Sequence, residues 1–170
     1  MNVIIEGFID PVYRYDFLQG PDKVTGILDA RRNGVNCVAL AHLAMADLFD
    51  PQPPLASELM CFELLMDIER FEVVESIEEI IEGDLIWFGR ANPRFGLNEF
   101  VPNLASGQML NWADCPLNHV AISTGACDES GDPFLLHASP TDGTNAIWPL
   151  SRFLEHERYK EIYGIKRFVK

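Results

Sequence analysis

The 170-residue chain is 48% hydrophobic and 23% charged, enough apolar material for one domain with a core and too much for a disordered chain. Its 13 basic and 26 acidic residues leave a formal charge of −13, a field that disfavours nucleic acid and anionic membrane surfaces as partners. No apolar run approaches the roughly 20 residues needed to cross a bilayer, and the opening MNVIIEGFIDPVYRYD lacks the basic start and long apolar stretch of an export signal.

The chain is therefore expected to be cytoplasmic as synthesised; export by a dedicated machine or by lysis would leave no mark in it. In chain order, residues 38–49, VALAHLAMADLF, are apolar on nearly every face, the pattern of a helix buried on most sides. The run Asp50-Pro51-Gln52-Pro53-Pro54 must end it, since proline lacks an N–H and restricts the residue before it. Residues 57–72 predict a second helix, with Ser57 as N-cap and Glu58 in its first turn. Ser76 and Glu79 have capping-box spacing for a short helical turn, which Gly83 ends.

From here the pattern changes to strands. Residues 84–89, DLIWFG, form a short apolar run, and a stretch rich in Asn, Gly and Pro follows to about 116. That stretch, with Trp112, suits either a wall of a cleft or a decorated surface loop. Residues 119–124 and 133–138 read as a hairpin around the polar turn CDESGD. Residues 165–169 alternate and are expected to close the sheet. Helices first and strands after argue an α+β layer architecture over a single domain, 1–170.

The four cysteines, Cys37, Cys61, Cys115 and Cys127, lack the spacing of a metal site or a disulfide framework and read as free thiols. Cys37 alone follows a glycine turn and opens a helix. The helix dipole there favours a thiolate, and unpaired N–H groups at that end can stabilise an oxyanion. Cys61 falls mid-helix, and Cys115 and Cys127 in loop-like stretches. A thiolate needs a proton partner. His42, five positions along the same helix, points away from Cys37, and His156 falls in a charged helix, FLEHERYKE, where it is expected to be solvated. His119 and His137, on adjacent predicted strands, can meet on one face; by themselves they also fit satisfied core or surface histidines.

Four segments in order carry a resemblance: GVNCVAL at 34–40, GDLIWF at 83–88, NHVAISTG at 118–125 and LLHASP at 135–140, with YGIKRFV at 163–169 closing the series. Together they resemble the NlpC-type peptidoglycan endopeptidases, a papain-like cysteine peptidase family, over about 20–169. The resemblance implies N-terminal helices packed on an antiparallel sheet, with Cys37 as nucleophile, His119 as base and His137 as the residue that orients it. It also implies amide hydrolysis through an acyl-enzyme, with no metal or organic cofactor, on a peptide or peptidoglycan-fragment substrate or a similar γ-glutamyl or isopeptide bond. The same triad would serve an acyltransferase or deamidase, and the same fold could hold a catalytically silent binding protein. Cys preceding His argues against the circularly permuted acyltransferase branch.

Where the family has Asp and Ser flanking the cysteine, this chain has Asn36 and Val38, which makes these two positions candidates for an altered substrate grip. Tyr15 or Phe17, before Gly20, is the candidate for the place of the tyrosine that the family carries before its nucleophile. Asp84 is expected to be structural.

Overall fold

The computed structural model describes residues 7–9, 13–48, 64–94, 96–99 and 115–169. Trp112, Cys61, the Pro51–Pro54 run, the first part of the expected 57–72 helix and most of the Asn/Gly/Pro-rich stretch lie outside them.

The described elements are helix α1 (Ile27–Asn33), helix α2 (Cys37–Leu48), strand β1 (Phe71–Val73), a 3-10 turn (Ile77–Glu79), β2 (Leu85–Gly89), β3 (Leu117–Cys127), β4 (Pro133–Ser139), β5 (Thr144–Pro149), helix α3 (Leu150–Glu155) and β6 (Glu161–Phe168). All six strands join one antiparallel sheet in the order β1-β6-β2-β3-β4-β5. The fold is α+β, with N-terminal helices on an antiparallel sheet in the papain-like manner.

β2 explains the fold's layering. All five of its residues are buried, because both faces of the sheet are covered. Leu85 and Trp87 pack with Ala39, Leu40, Leu43, Ala44 and Met45 of α2 and with Val120, Ile122 and Leu136. Ile86 and Phe88 point the other way and pack with Ala121, Leu135, Trp148, Phe153 and Tyr159. Successive residues of a strand face opposite sides, so a run without polar alternation is what a doubly covered strand needs.

Gly83 and Asp84 set the start of β2. Gly83 turns with φ 87. The Asp84 side chain, fully buried, accepts from Arg167 Nε and Nη2, each at 2.9 Å, and from the Ile81 N–H at 2.9 Å. It ties β2 to β6 and has a structural role.

Several expectations are corrected. The helix expected to run to 72 is helical at 64–66 and then turns. Asp67 Oδ1 accepts from the N–H groups of Glu69 and Arg70 at 2.9 Å each, and such a local side-chain bond competes with helix continuation, so 71–73 become β1. Ser76 does cap the turn that follows, but its side chain accepts from the Glu78 N–H, not from Glu79. β6 does not close the sheet; it lies inside, between β1 and β2. Cys127 ends β3 and is not in a loop. The C-terminal helix is shorter and earlier than FLEHERYKE suggests: it stops at Glu155, and His156 is its C-cap, half-buried against Tyr159 and Trp148.

Candidate active site

The turn before Cys37 is built by Gly34 and Asn36. Gly34 adopts φ 92, and a Cβ there would lie 2.7 Å from the Arg14 carbonyl oxygen, so the chain can make this turn only with glycine. Asn36 then caps α2: its Oδ1 accepts from the Ala39 N–H at 2.9 Å, the third residue of the helix. Its Nδ2 donates to the Phe17 carbonyl at 3.3 Å. Both ends of the Asn36 amide thus serve backbone. Val38 is half-buried and packs against the α2 side of the core.

Cys37 is therefore the first residue of α2, and it is partly exposed. The expectation of a thiol acidified by the helix start is not met in the resting structure. Burial of the sulfur pushes its pKa up, and this outweighs the N–H groups of Val120, Val38 and Cys37 itself, which favour the thiolate. The Val120 amide places the sulfur against β3, one residue from His119. There β3 and β4 part: their pairing runs from Cys127↔Pro133 to Ile122↔Leu136 and goes no nearer to His119.

His119 and His137 meet as the sequence suggests. His119 Nε2 lies 2.8 Å from His137 Nδ1, and both rings are buried. Burial and the neighbouring histidines push His119 well below its ordinary value. Burial, with the Arg152 and His156 charges, brings His137 down to about 3. Both are neutral at pH 7, so one proton lies between them. For His119 to receive a proton from Cys37, its Nδ1 must be bare, and Nε2–H must donate to His137. His137 then carries its own proton on Nε2, a buried atom without a hydrogen-bond partner. The rings of Trp148 and Phe153 pack T-shaped against the His137 ring, with centroids at 4.5 and 4.6 Å.

The histidine pair and the thiol approach from different sides. Cys37 packs with the α2 layer, whereas the two imidazoles contact Phe153, Trp148 and Tyr159 of the opposite layer. No hydrogen bond joins Cys37 to His119 in this state.

Tyr15 does come to the site. Its main chain pairs with Val35 and with the Gly143 carbonyl, and its phenol is pushed up to about 12 by burial and by the proximity of Cys37. Tyr159 is a site residue that the sequence reading missed. Its ring stacks on His119 at 4.7 Å and 27° and on His156 at 4.5 Å and 18°. Burial, Cys37 and Tyr15 all push its phenol pKa up. The signal was a lone aromatic in the polar HERYKE stretch. His42 stays apart, half-buried on α2, where burial lowers its pKa. Cys115 is buried and pushed up to about 11. Among the described residues, no His/Cys/Asp/Glu group could hold a metal ion, and no helix is long and apolar enough to cross a membrane.

Among solved structures, NlpC1 from Trichomonas vaginalis matches with a TM-score of 0.53 and 16% sequence identity, over 98% of this chain and 42% of that one. At that identity the likeness is one of fold: the chain has the NlpC-like form of the papain-like architecture. It spans less than half the length of the NlpC1 chain. No family model and no curated protein matches the sequence.

Proposed function

We propose that this chain is a cysteine-dependent amide hydrolase, a single NlpC-like domain over 1–170. Cys37 attacks the carbonyl carbon as its proton passes to His119; His119 returns that proton to the leaving amine, then activates water against the thioester. His137 holds His119 in the tautomer that keeps Nδ1 bare. The observation that carries the reading is the 2.8 Å contact between two buried, neutral imidazoles, one residue along β3 from the amide that meets the Cys37 sulfur. A neutral thiol and a neutral imidazole suit proton transfer during attack, in place of a standing ion pair.

The substrate class proposed is a peptidoglycan stem peptide or another γ-glutamyl or isopeptide bond. Support for it is the motif resemblance together with a fold like that of NlpC1. Purified protein is incubated with muropeptides and with γ-glutamyl peptides, and the products are weighed by mass spectrometry. Cleavage is expected, with a loss of about a thousandfold or more in Cys37→Ser and in His119→Ala. Both substrates left intact while Cys37 stays reduced refutes the reading.

One observation favours a second reading, a silent binding protein: the thiol is pushed up and makes no hydrogen bond to His119. On that reading His119→Ala changes stability alone.

A further inference from the structure

A cleft of about 480 Å³ opens where the turn after β4 meets the connection between α3 and β6. Pro140, Thr141, Glu155, His156, Glu157 and Arg158 line it, and its size is that of ordinary ligand clefts. Both walls are fixed by hydrogen bonds. In the turn, the Asp142 N–H donates to Ser139 Oγ at 3.0 Å and the Gly143 N–H to the Ser139 carbonyl at 2.9 Å. In the connection, the Arg158 N–H donates to His156 Nδ1 at 3.3 Å. The Arg158 carbonyl accepts from Asn118 Nδ2 at 2.7 Å, and Asn118 directly precedes His119 in β3. Because His156 Nδ1 accepts, the proton of the neutral ring sits on Nε2, 3.4 Å from Thr141 Oγ1 on the other wall.

The cleft adjoins the histidine pair on the side of the base. The His156 ring stacks on Tyr159 at 4.5 Å, and Tyr159 stacks on His119 at 4.7 Å. His156 is therefore no farther from His119 than these two steps laid end to end. Cys37 packs with the opposite layer. In acyl transfer the acyl part stays on the sulfur, while the amine departs with the proton that the base held; a cleft on the base's side belongs to the amine. Its lining carries both signs, the carboxylates of Glu155 and Glu157 and the guanidinium of Arg158. A group bearing both an ammonium and a carboxylate finds a partner for each there, whereas a dianion meets two like charges. A simple residue released at its α-amine has no second amine to offer. A diamino acid released at its side-chain amine does: in lysine the reacting nitrogen stands about 6 Å from the α-carbon when extended, at roughly 1.5 Å per bond. That reach fits within the two stacking steps.

We propose that this cleft is the leaving-group subsite, and that it takes the free α-ammonium and α-carboxylate of a diamino acid joined to the acyl group through its side-chain amine, as in a γ-glutamyl-ε-lysine isopeptide. Arg158 pairs with the carboxylate, the two glutamates hold the ammonium, and the side-chain nitrogen lies toward His119. The bond broken is the isopeptide C–N bond. Its electron pair leaves with the nitrogen, which takes the proton held by His119, and the acyl group stays on the Cys37 sulfur until water displaces it. This narrows the substrate class proposed above and rests on the hydrolase reading.

L-Lysine, Nα-acetyl-lysine and lysinamide are titrated into the full chain and into Arg158→Gln, and the imidazole signals of His156 are followed by NMR. Lysine is expected to shift them. The acetylated form lacks the ammonium and the amide lacks the carboxylate, so each should bind about fivefold more weakly, the scale of one exposed ion pair. Arg158→Gln removes the guanidinium and leaves the main-chain clamp; it should weaken lysine by a similar factor and leave lysinamide unchanged. His119 signals that match those of the unaltered chain report that the variant is folded. No shift at His156, equal affinities for the three probes, or lysine binding indifferent to Arg158→Gln overturns the proposal. In parallel, γ-glutamyl-ε-lysine is incubated with the full chain and with Cys37→Ser, and release of lysine that requires Cys37 is expected. An intact isopeptide beside cleaved muropeptides overturns the proposal while the hydrolase reading stands. Lysine bound at His156 in a chain that cuts neither substrate brings down the hydrolase reading, and the leaving-group role with it.

Discussion

Removing Arg167 should cost more stability than removing the acid it holds. Asp84 is fully buried, whereas the Arg167 side chain is 27% exposed, with Glu72 at 3.7 Å as a second carboxylate. Arg167→Met leaves a carboxylate without water and with only the Ile81 N–H at 2.9 Å. Stranding one member of a buried pair costs about 3–5 kcal/mol, and this variant belongs at the upper end. Asp84→Ala leaves a guanidinium that keeps the Glu79 carbonyl at 2.7 Å and can turn to Glu72 and to solvent; about 2–3 kcal/mol is expected, at or below the lower end. Urea unfolding of both single variants and the double variant measures this. The double variant should be less damaged than the sum of the singles by at least about 1 kcal/mol. Strict additivity, or Asp84→Ala proving the costlier, would refute the view that burial asymmetry sets the energetics. Cys37 alkylation should be unchanged in folded Asp84→Ala, as befits a residue that ties β2 to β6.

Three further outcomes follow from the site. The folded pKa values of His119 and His137 lie below their ordinary 6.5, so below about pH 6.5 the unfolded chain binds more protons and stability falls with acid, continuing to about pH 3 for His137. Unfolding free energies from urea titrations between pH 7 and 5 should drop by up to about 1.4 kcal/mol per pH unit for each such proton, and His137→Gln should flatten the slope; an unchanged slope contradicts burial of a neutral ring. Long-range 1H–15N correlation spectra at pH 7 should show both rings protonated at Nε2; a proton on His119 Nδ1 would deny that ring its role as base. Asn36→Ala should cost about 1 kcal/mol through the lost bond to the Ala39 N–H, while Asn36→Asp, which keeps the cap, should be nearly neutral by thermal unfolding; equal losses would mean that the cap is not what Asn36 supplies.

The parts of the site that could be read from sequence are those fixed by local chemistry. A glycine turn followed by a cysteine and a buried helix can put Cys37 in few places, and a hairpin brings His119 and His137 onto one face through its register. What could not be read depends on long-range pairing or on a small local competition. β6 lies inside the sheet because Leu85 pairs with Lys166 and Phe71 with Phe168, and nothing within 161–168 encodes those partners. The apolar period of 57–72 carries no sign that Asp67 will cap a turn. Tyr159 joins the site only because α3 stops at Glu155 and the chain folds back over His119. The thiol's resistance to ionisation is likewise set by how deeply α2 seats the sulfur, whereas the helix start alone would predict the opposite.

The N-terminal segment has a second consequence. β5 would be an open rim of the sheet, with unpaired amides available to any passing strand. Phe8, Tyr13 and Tyr15 lie along it: Asn145 Nδ2 donates to the Phe8 carbonyl at 3.0 Å, Thr144 Oγ1 to the Tyr13 carbonyl at 2.6 Å, and the Tyr15 N–H to the Gly143 carbonyl at 2.9 Å. The same strip then crosses to Val35, two residues before the nucleophile. One stretch of chain is thus both the guard against edge-to-edge aggregation and a wall beside the sulfur, so a proteolytic nick that loosens it should cost reactivity and solubility together.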